Sequence, residues 1–72
     1  MTKATKLDAE IGERIRIYRV TRKRSQSWLG EKIKRSRQQV ENYESGKNRI
    51  SASCLLEVSK ILKVSIEKFF SN

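Results

Sequence analysis

The sequence predicts an all-α fold, one compact domain of five short helices, on three observations. Apolar residues recur at helical rather than alternating spacing, short polar stops interrupt them, and proline is absent. The length of 72 residues fits one small core, and a chain of that size buries only about 60% of its unfolded surface, so its few apolar side chains must all pack well. The expected organisation is a flexible basic arm over residues 1–7 and a single domain over residues 8–72, with no room for a separate ligand-binding or oligomerisation unit.

Each helix has its own signals. The first is expected from near Asp8 to between Arg22 and Arg24, with Ile11, Ile15 and Tyr18 at i, i+4 and i+7 forming one apolar stripe among Lys and Arg. Ser25 is a good N-cap for a second, barely two-turn helix, QSWLGEKI, whose Leu29 and Ile33 lie one turn apart. Ser36 with Gln39 three residues on forms an S-x-x-Q capping box, which starts a third helix at Arg37; Gly46 stops it after about Ser45. Ser51 or Ser53 caps a fourth helix carrying Leu55, Val58 and Leu62, and Ser65 caps a last turn or two bearing Ile66, Phe69 and Phe70.

Charge and residue types then narrow the function. Seventeen Lys and Arg against eight Asp and Glu give +9, a charge that attracts polyanions, nucleic acid first and an anionic membrane second. With no His and only Cys54, the chain has no internal disulfide, no Cys/His zinc set and no Ser/His or Cys/His dyad. Neither an enzyme nor a cofactor is expected. No apolar run approaches the roughly 18 residues that span a bilayer, and the start MTKATKLDAE lacks the apolar core of a signal peptide. A cytoplasmic, nucleoid-associated protein is the expectation.

The third helix carries little apolar material for its length. At about 100° per residue, Val40, Tyr43 and Glu44 fall on one side, and Gln38, Glu41, Asn42 and Ser45 fall together on the other. Amide side chains donate and accept at once, which suits the paired acceptor and donor of an adenine edge, and Arg37 in the first turn suits guanine. A solvated face is the ordinary account of such residues on an isolated helix. Here a two-turn helix, a short connection and a polar-faced helix follow one another in a very basic chain, which is the helix-turn-helix pattern whose second helix enters the major groove.

The segments IGERIRIYR, SQSWLGEKI, SRQQVENYESGK and LLEVSKILKVSIEKFF together resemble the lambda repressor/Cro-like (XRE-type) helix-turn-helix domain, over nearly everything from Ile11 to Phe70. The resemblance implies a five-helix domain in which helices two and three read double-stranded DNA, as a homodimer on a palindromic operator. By position it implies base reading by Arg37, Gln38, Glu41 and Asn42, and phosphate contact by Gln26, Lys47, Asn48 and Arg49; Arg35 joins the expected phosphate contacts for its charge rather than by the resemblance. It also implies an ion pair between Arg19 and Glu44, and a carboxylate on the inward side of the third helix needs such a cation.

The chain also departs from the family pattern. Lys23, Lys34 and Lys63 occupy turn positions where the family often has Gly, so positive φ is expected there at a cost on the order of 1 kcal/mol each. Arg24 and Arg35 replace apolar turn residues, either as added charge against phosphates or as compositional drift. Gly30 and Ser59 stand for Ala, and Ile50 for Pro. Trp28 either donates its indole N–H to a phosphate or lies over Lys and Arg stems, the structural account being preferred. Ile17 and Val20 point away from the apolar stripe, either as ordinary scattered exposed apolar residues or as a partner surface. Phe69 and Phe70 cannot both turn inward from so short a helix, so dimerisation through this end is expected, while Cys54 reads as a small core residue. A competing function is an antitoxin that binds a protein toxin and represses its own promoter. Another is sequence-indifferent binding to polyanions.

Overall fold

The structure, a computed structural model, describes residues 5–70. It holds four α-helices, α1 (Lys6–Thr21), α2 (Gln26–Ile33), α3 (Arg37–Ser45) and α4 (Ala52–Leu62), and a final 3-10 turn, Ile66–Phe69. Among the described residues the expected fifth helix is therefore a single turn. Ser65 makes no side-chain cap; only its carbonyl is used, accepting from the Lys68 N–H at 3.0 Å. Four residues held by one anchoring ring have too little length to propagate an α-helix.

The first helix starts at Lys6, two residues before the expected Asp8, because Thr5 and Asp8 form a reciprocal capping box. The Thr5 N–H donates to Asp8 Oδ2 at 2.7 Å and the Asp8 N–H to Thr5 Oγ1 at 3.3 Å. Residues 1–4 of the expected arm lie outside the described residues. Serine hydroxyls cap the next three helices: Ser25 accepts from the Trp28 N–H, Ser36 from the Gln39 N–H, and Ser51, not Ser53, from the Cys54 N–H.

The apolar stripes meet in one core of Ile11, Ile15, Leu29, Ile33, Val40, Tyr43, Cys54, Leu55, Val58, Leu62, Val64 and Phe69. Helix α3 packs against both α1 and α2, α4 closes the core from beneath α2, and the final turn returns to α1. There the Phe69 ring meets Tyr18 edge-on, with centroids 5.5 Å apart. Phe69 is fully buried while Phe70 is half exposed, as are Ile17 and Val20.

Two glycines set how deeply α3 sits. A Cβ on Gly12 would collide with the Tyr43 carbonyl oxygen and lie 2.8 Å from that of Glu44, and one on Gly30 would lie 2.6 Å from the Arg35 carbonyl. Gly30 is thus required where the family pattern has Ala, because the turn into α3 crosses directly over it. The buried Ser59 hydroxyl satisfies itself by donating to the Leu56 carbonyl at 2.6 Å.

Candidate nucleic-acid interface

Helix α3 presents two chemically different faces. Val40, Tyr43 and Glu44 are buried, and Arg37, Gln38, Glu41 and Ser45 are exposed, with Asn42 between the two extremes. The Gln38 Nε2 group donates to Asn42 Oδ1 at 3.2 Å, which places the two amides side by side one turn apart. Arg37 Nη1 reaches Glu41 Oε1 at 3.4 Å. The four residues assigned to base reading therefore share one surface, as two i,i+4 pairs.

Behind that surface lies a buried charge pair. Arg19 Nε donates to Glu44 Oε2 at 2.6 Å and Nη2 to Oε1 at 3.0 Å, a bidentate pair with both side chains at most one-tenth exposed. The third donor used, Nη1, is bound by the Arg24 carbonyl at 2.6 Å. Gln26 completes the carboxylate's shell: its Nε2 donates to Glu44 Oε1 at 3.0 Å, and its Oε1 accepts from Arg37 Nη1 at 3.1 Å. One Gln side chain thereby links the buried pair to the first residue of the exposed face, a role that sequence reading missed because the partners lie 11 and 18 positions away.

The residues assigned to phosphate contact are less uniform. Lys47 and Asn48 are exposed in the loop after α3, held by the Asn48 N–H donating to the Asn42 carbonyl at 3.2 Å. Arg49 Nε donates instead to Asp8 Oδ2 at 3.1 Å, tying that loop to the first turn of α1. Arg35 is exposed and its Nη1 donates to the Lys34 carbonyl at 3.2 Å; its guanidinium pKa is raised, first by the Tyr43 hydroxyl and then by the charge field of Cys54. The Gln26 side chain is committed to Glu44 and Arg37, so what it leaves open is the N-terminal edge of α2.

A two-helix unit with an amide-bearing second helix, set in a basic four-helix domain, is the architecture of a helix-turn-helix domain. A family model described as "Helix-turn-helix domain" matches residues 10–68. The chain belongs to this family, and its lambda repressor/Cro-like, XRE-type character is supported by solved structures as well. It is similar to the P22 c2 repressor, solved in complex with a synthetic operator, at 30% identity and a TM-score of 0.77, over 85% of this chain and 92% of that one. It is 44% identical over 66 residues to an uncharacterized transcriptional regulator in the ATPase CF(0) region of Rhodospirillum rubrum, covering 92% of this chain and 61% of that protein. The uncharacterized HTH-type transcriptional regulator y4wC of Sinorhizobium fredii is likewise 44% identical over 70 residues, covering 97% and 49%. The chain thus spans about half to three-fifths of the length of these relatives. Among the described residues, no helix is long and apolar enough to cross a membrane.

Proposed function

We propose that this domain is a sequence-specific DNA-binding transcriptional regulator, acting as a repressor, that reads an operator through the major groove with α3. The observation that carries the reading is the pairing of Gln38 with Asn42 on the outer face of α3. Two amides held side by side there offer adjacent donors and acceptors to base edges, in a basic helix-turn-helix unit whose second helix is the one placed to enter a major groove. The names of the relatives and the operator complex of the P22 c2 repressor support the same class.

In this reading Gln38 and Asn42 address bases directly. Arg37 takes a guanine edge when it leaves Glu41, and Glu41 accepts from a cytosine or stays with Arg37. Lys47 and Asn48 hold phosphates at one end of α3. At the other end, Gln26 contributes through its backbone N–H, which with that of Ser27 precedes the first helical hydrogen bond of α2 and faces an incoming anion. Arg35, exposed beside Lys34, adds its charge, and Arg49 joins by exchanging Asp8 for a phosphate. The domain works as a homodimer on a palindrome, and of the two terminal aromatics only Phe70 is exposed enough to meet a second copy.

Selection of bound duplexes from a random pool, followed by titration of the selected and the random DNA, tests this reading. Gln38→Ala or Asn42→Ala should lose about 1 to 3 kcal/mol on the selected duplex and little on random DNA. An equal loss on both would remove base reading from these residues.

A further inference from the structure

A groove of about 390 Å³, open to solvent, lies between the outer side of α2 and the C-terminal end of α4, lined by Arg22, Arg24, Trp28, Ile61, Leu62 and Lys63. None of these residues belongs to α3. We propose that this groove binds an acidic segment of a partner protein, with one apolar side chain of that segment seated against Trp28 and Ile61.

The chemistry of the lining selects that occupant. Leu62 is buried at the base, and Trp28 and Ile61 are partly buried against the core, leaving an apolar floor. The rim is entirely cationic. The Arg24 guanidinium carbon stands 4.7 Å from the Trp28 ring centroid and the Lys32 ammonium 5.6 Å, while Arg22 lies 5.8 Å from the Tyr18 ring and donates to its carbonyl. Among the described residues, no carboxylate lies within ion-pair distance of Arg22, Arg24, Lys32 or Lys63. Cations whose neighbours are ring faces and a carbonyl gain from an incoming carboxylate. The groove is open along one side, so it does not enclose a small ligand as a pocket of similar volume would, and it lets a peptide run past. A phosphodiester backbone would satisfy the rim but has nothing to cover Trp28 and Ile61.

The walls are already set. Arg24 is pinned through its carbonyl by the buried Arg19, and Lys63 sits at φ 58 in a turn closed by the Val64 N–H donating to the Ser59 carbonyl at 2.9 Å. Binding therefore requires little ordering of the main chain on this side, one of the costs that association must offset.

Trp28 is the single tryptophan of the chain, so its emission reports the groove directly. The probe is a capped hexapeptide of four glutamates around a central leucine and phenylalanine, with a second peptide carrying two serines at the centre. At near-physiological salt the first peptide should change Trp28 emission saturably, and the serine peptide should bind about tenfold more weakly or worse. Measured by anisotropy of a labelled peptide, Arg22→Glu and Arg24→Glu should each weaken binding by about tenfold. Both side chains are exposed, and circular dichroism melts check that both variants stay folded. Equal binding of the two peptides would reduce the groove to a charge effect. Displacement of the peptide by random duplex, in step with the duplex's own occupancy, would make the groove a nucleic-acid surface. Absence of binding up to millimolar peptide, or indifference to both charge reversals, would also overturn the proposal.

Discussion

The Arg19 guanidinium divides its donors between two acceptors, the buried Glu44 carboxylate and the partly buried Arg24 carbonyl. Removing the cation leaves a buried carboxylate with only the Gln26 amide. Arg19→Met should therefore lower stability by roughly 3 to 5 kcal/mol, far more than loss of an exposed pair, and Arg19→Met with Glu44→Leu should recover much of it. Urea denaturation midpoints of the two variants measure this. Asp8 makes a smaller, pH-dependent contribution. Its carboxyl is held below the usual carboxylate range first by the Thr5 N–H, an effect that desolvation opposes, and then by the Thr5 hydroxyl and by Arg49. A depressed folded-state value means stability that is present above the unfolded pKa of about 4 and lost as pH falls through the folded one. The stability difference between wild type and Asp8→Ala should hold near neutrality and shrink on acidification below about pH 4, as read from denaturation midpoints across that range.

At the scale of elements, three of the joints share one construction. Lys23, Lys34 and Lys63 have φ of 58°, 59° and 58°. In each case the following N–H donates back to the carbonyl five residues earlier: Arg24 to Arg19, Arg35 to Gly30 and Val64 to Ser59. Left-handed residues ending a helix in this way are usually glycine, since a Cβ crowds the carbonyl. Lys34→Gly should raise stability by up to about 1 kcal/mol, the relief of strain exceeding glycine's greater freedom when unfolded. That corresponds to a rise in melting temperature of up to about 4 to 8 °C for a domain of this size. A fall would mean that the lysine side chain contributes more to the joint than its backbone costs.

For the whole molecule, size and charge set the terms of DNA binding under the proposed function. The longest extent is 30 Å, so two copies side by side place their reading helices about one helical turn, roughly 34 Å, apart. A net charge of +9 favours every duplex alike, and specificity must come from two half-sites engaged together. Titration of a selected palindrome and of its isolated half-site should give two protomers on the palindrome. The logarithm of affinity should fall with the logarithm of salt concentration by about 0.9 per phosphate neutralised. Tight binding of one protomer to one half-site, or affinity indifferent to salt, would contradict the dimeric, phosphate-anchored arrangement.

Periodicity and caps lie in neighbouring residues, and so the sequence alone determined the helical class, the α2–α3 unit with its Ser25 and Ser36 caps, and the two faces of α3. Local signals also hold the Thr5–Asp8 box, which moves the start of α1 to Lys6. The resemblance to a known family added the Arg19–Glu44 pair and the three left-handed lysines, neither of which periodicity displays. Tertiary structure alone decided that Gly12 and Gly30 are close-approach points, since what a Cβ would strike belongs to another helix or to the turn after it. It decided that the Gln26 side chain serves Glu44 and Arg37, that Arg49 is held by Asp8 from 41 positions away, and that Phe69 turns inward while Phe70 stays out. The physical reason is one of range. A helix and its faces are set by contacts three or four residues apart, whereas the partner of a long polar side chain is set by where packing brings distant segments together.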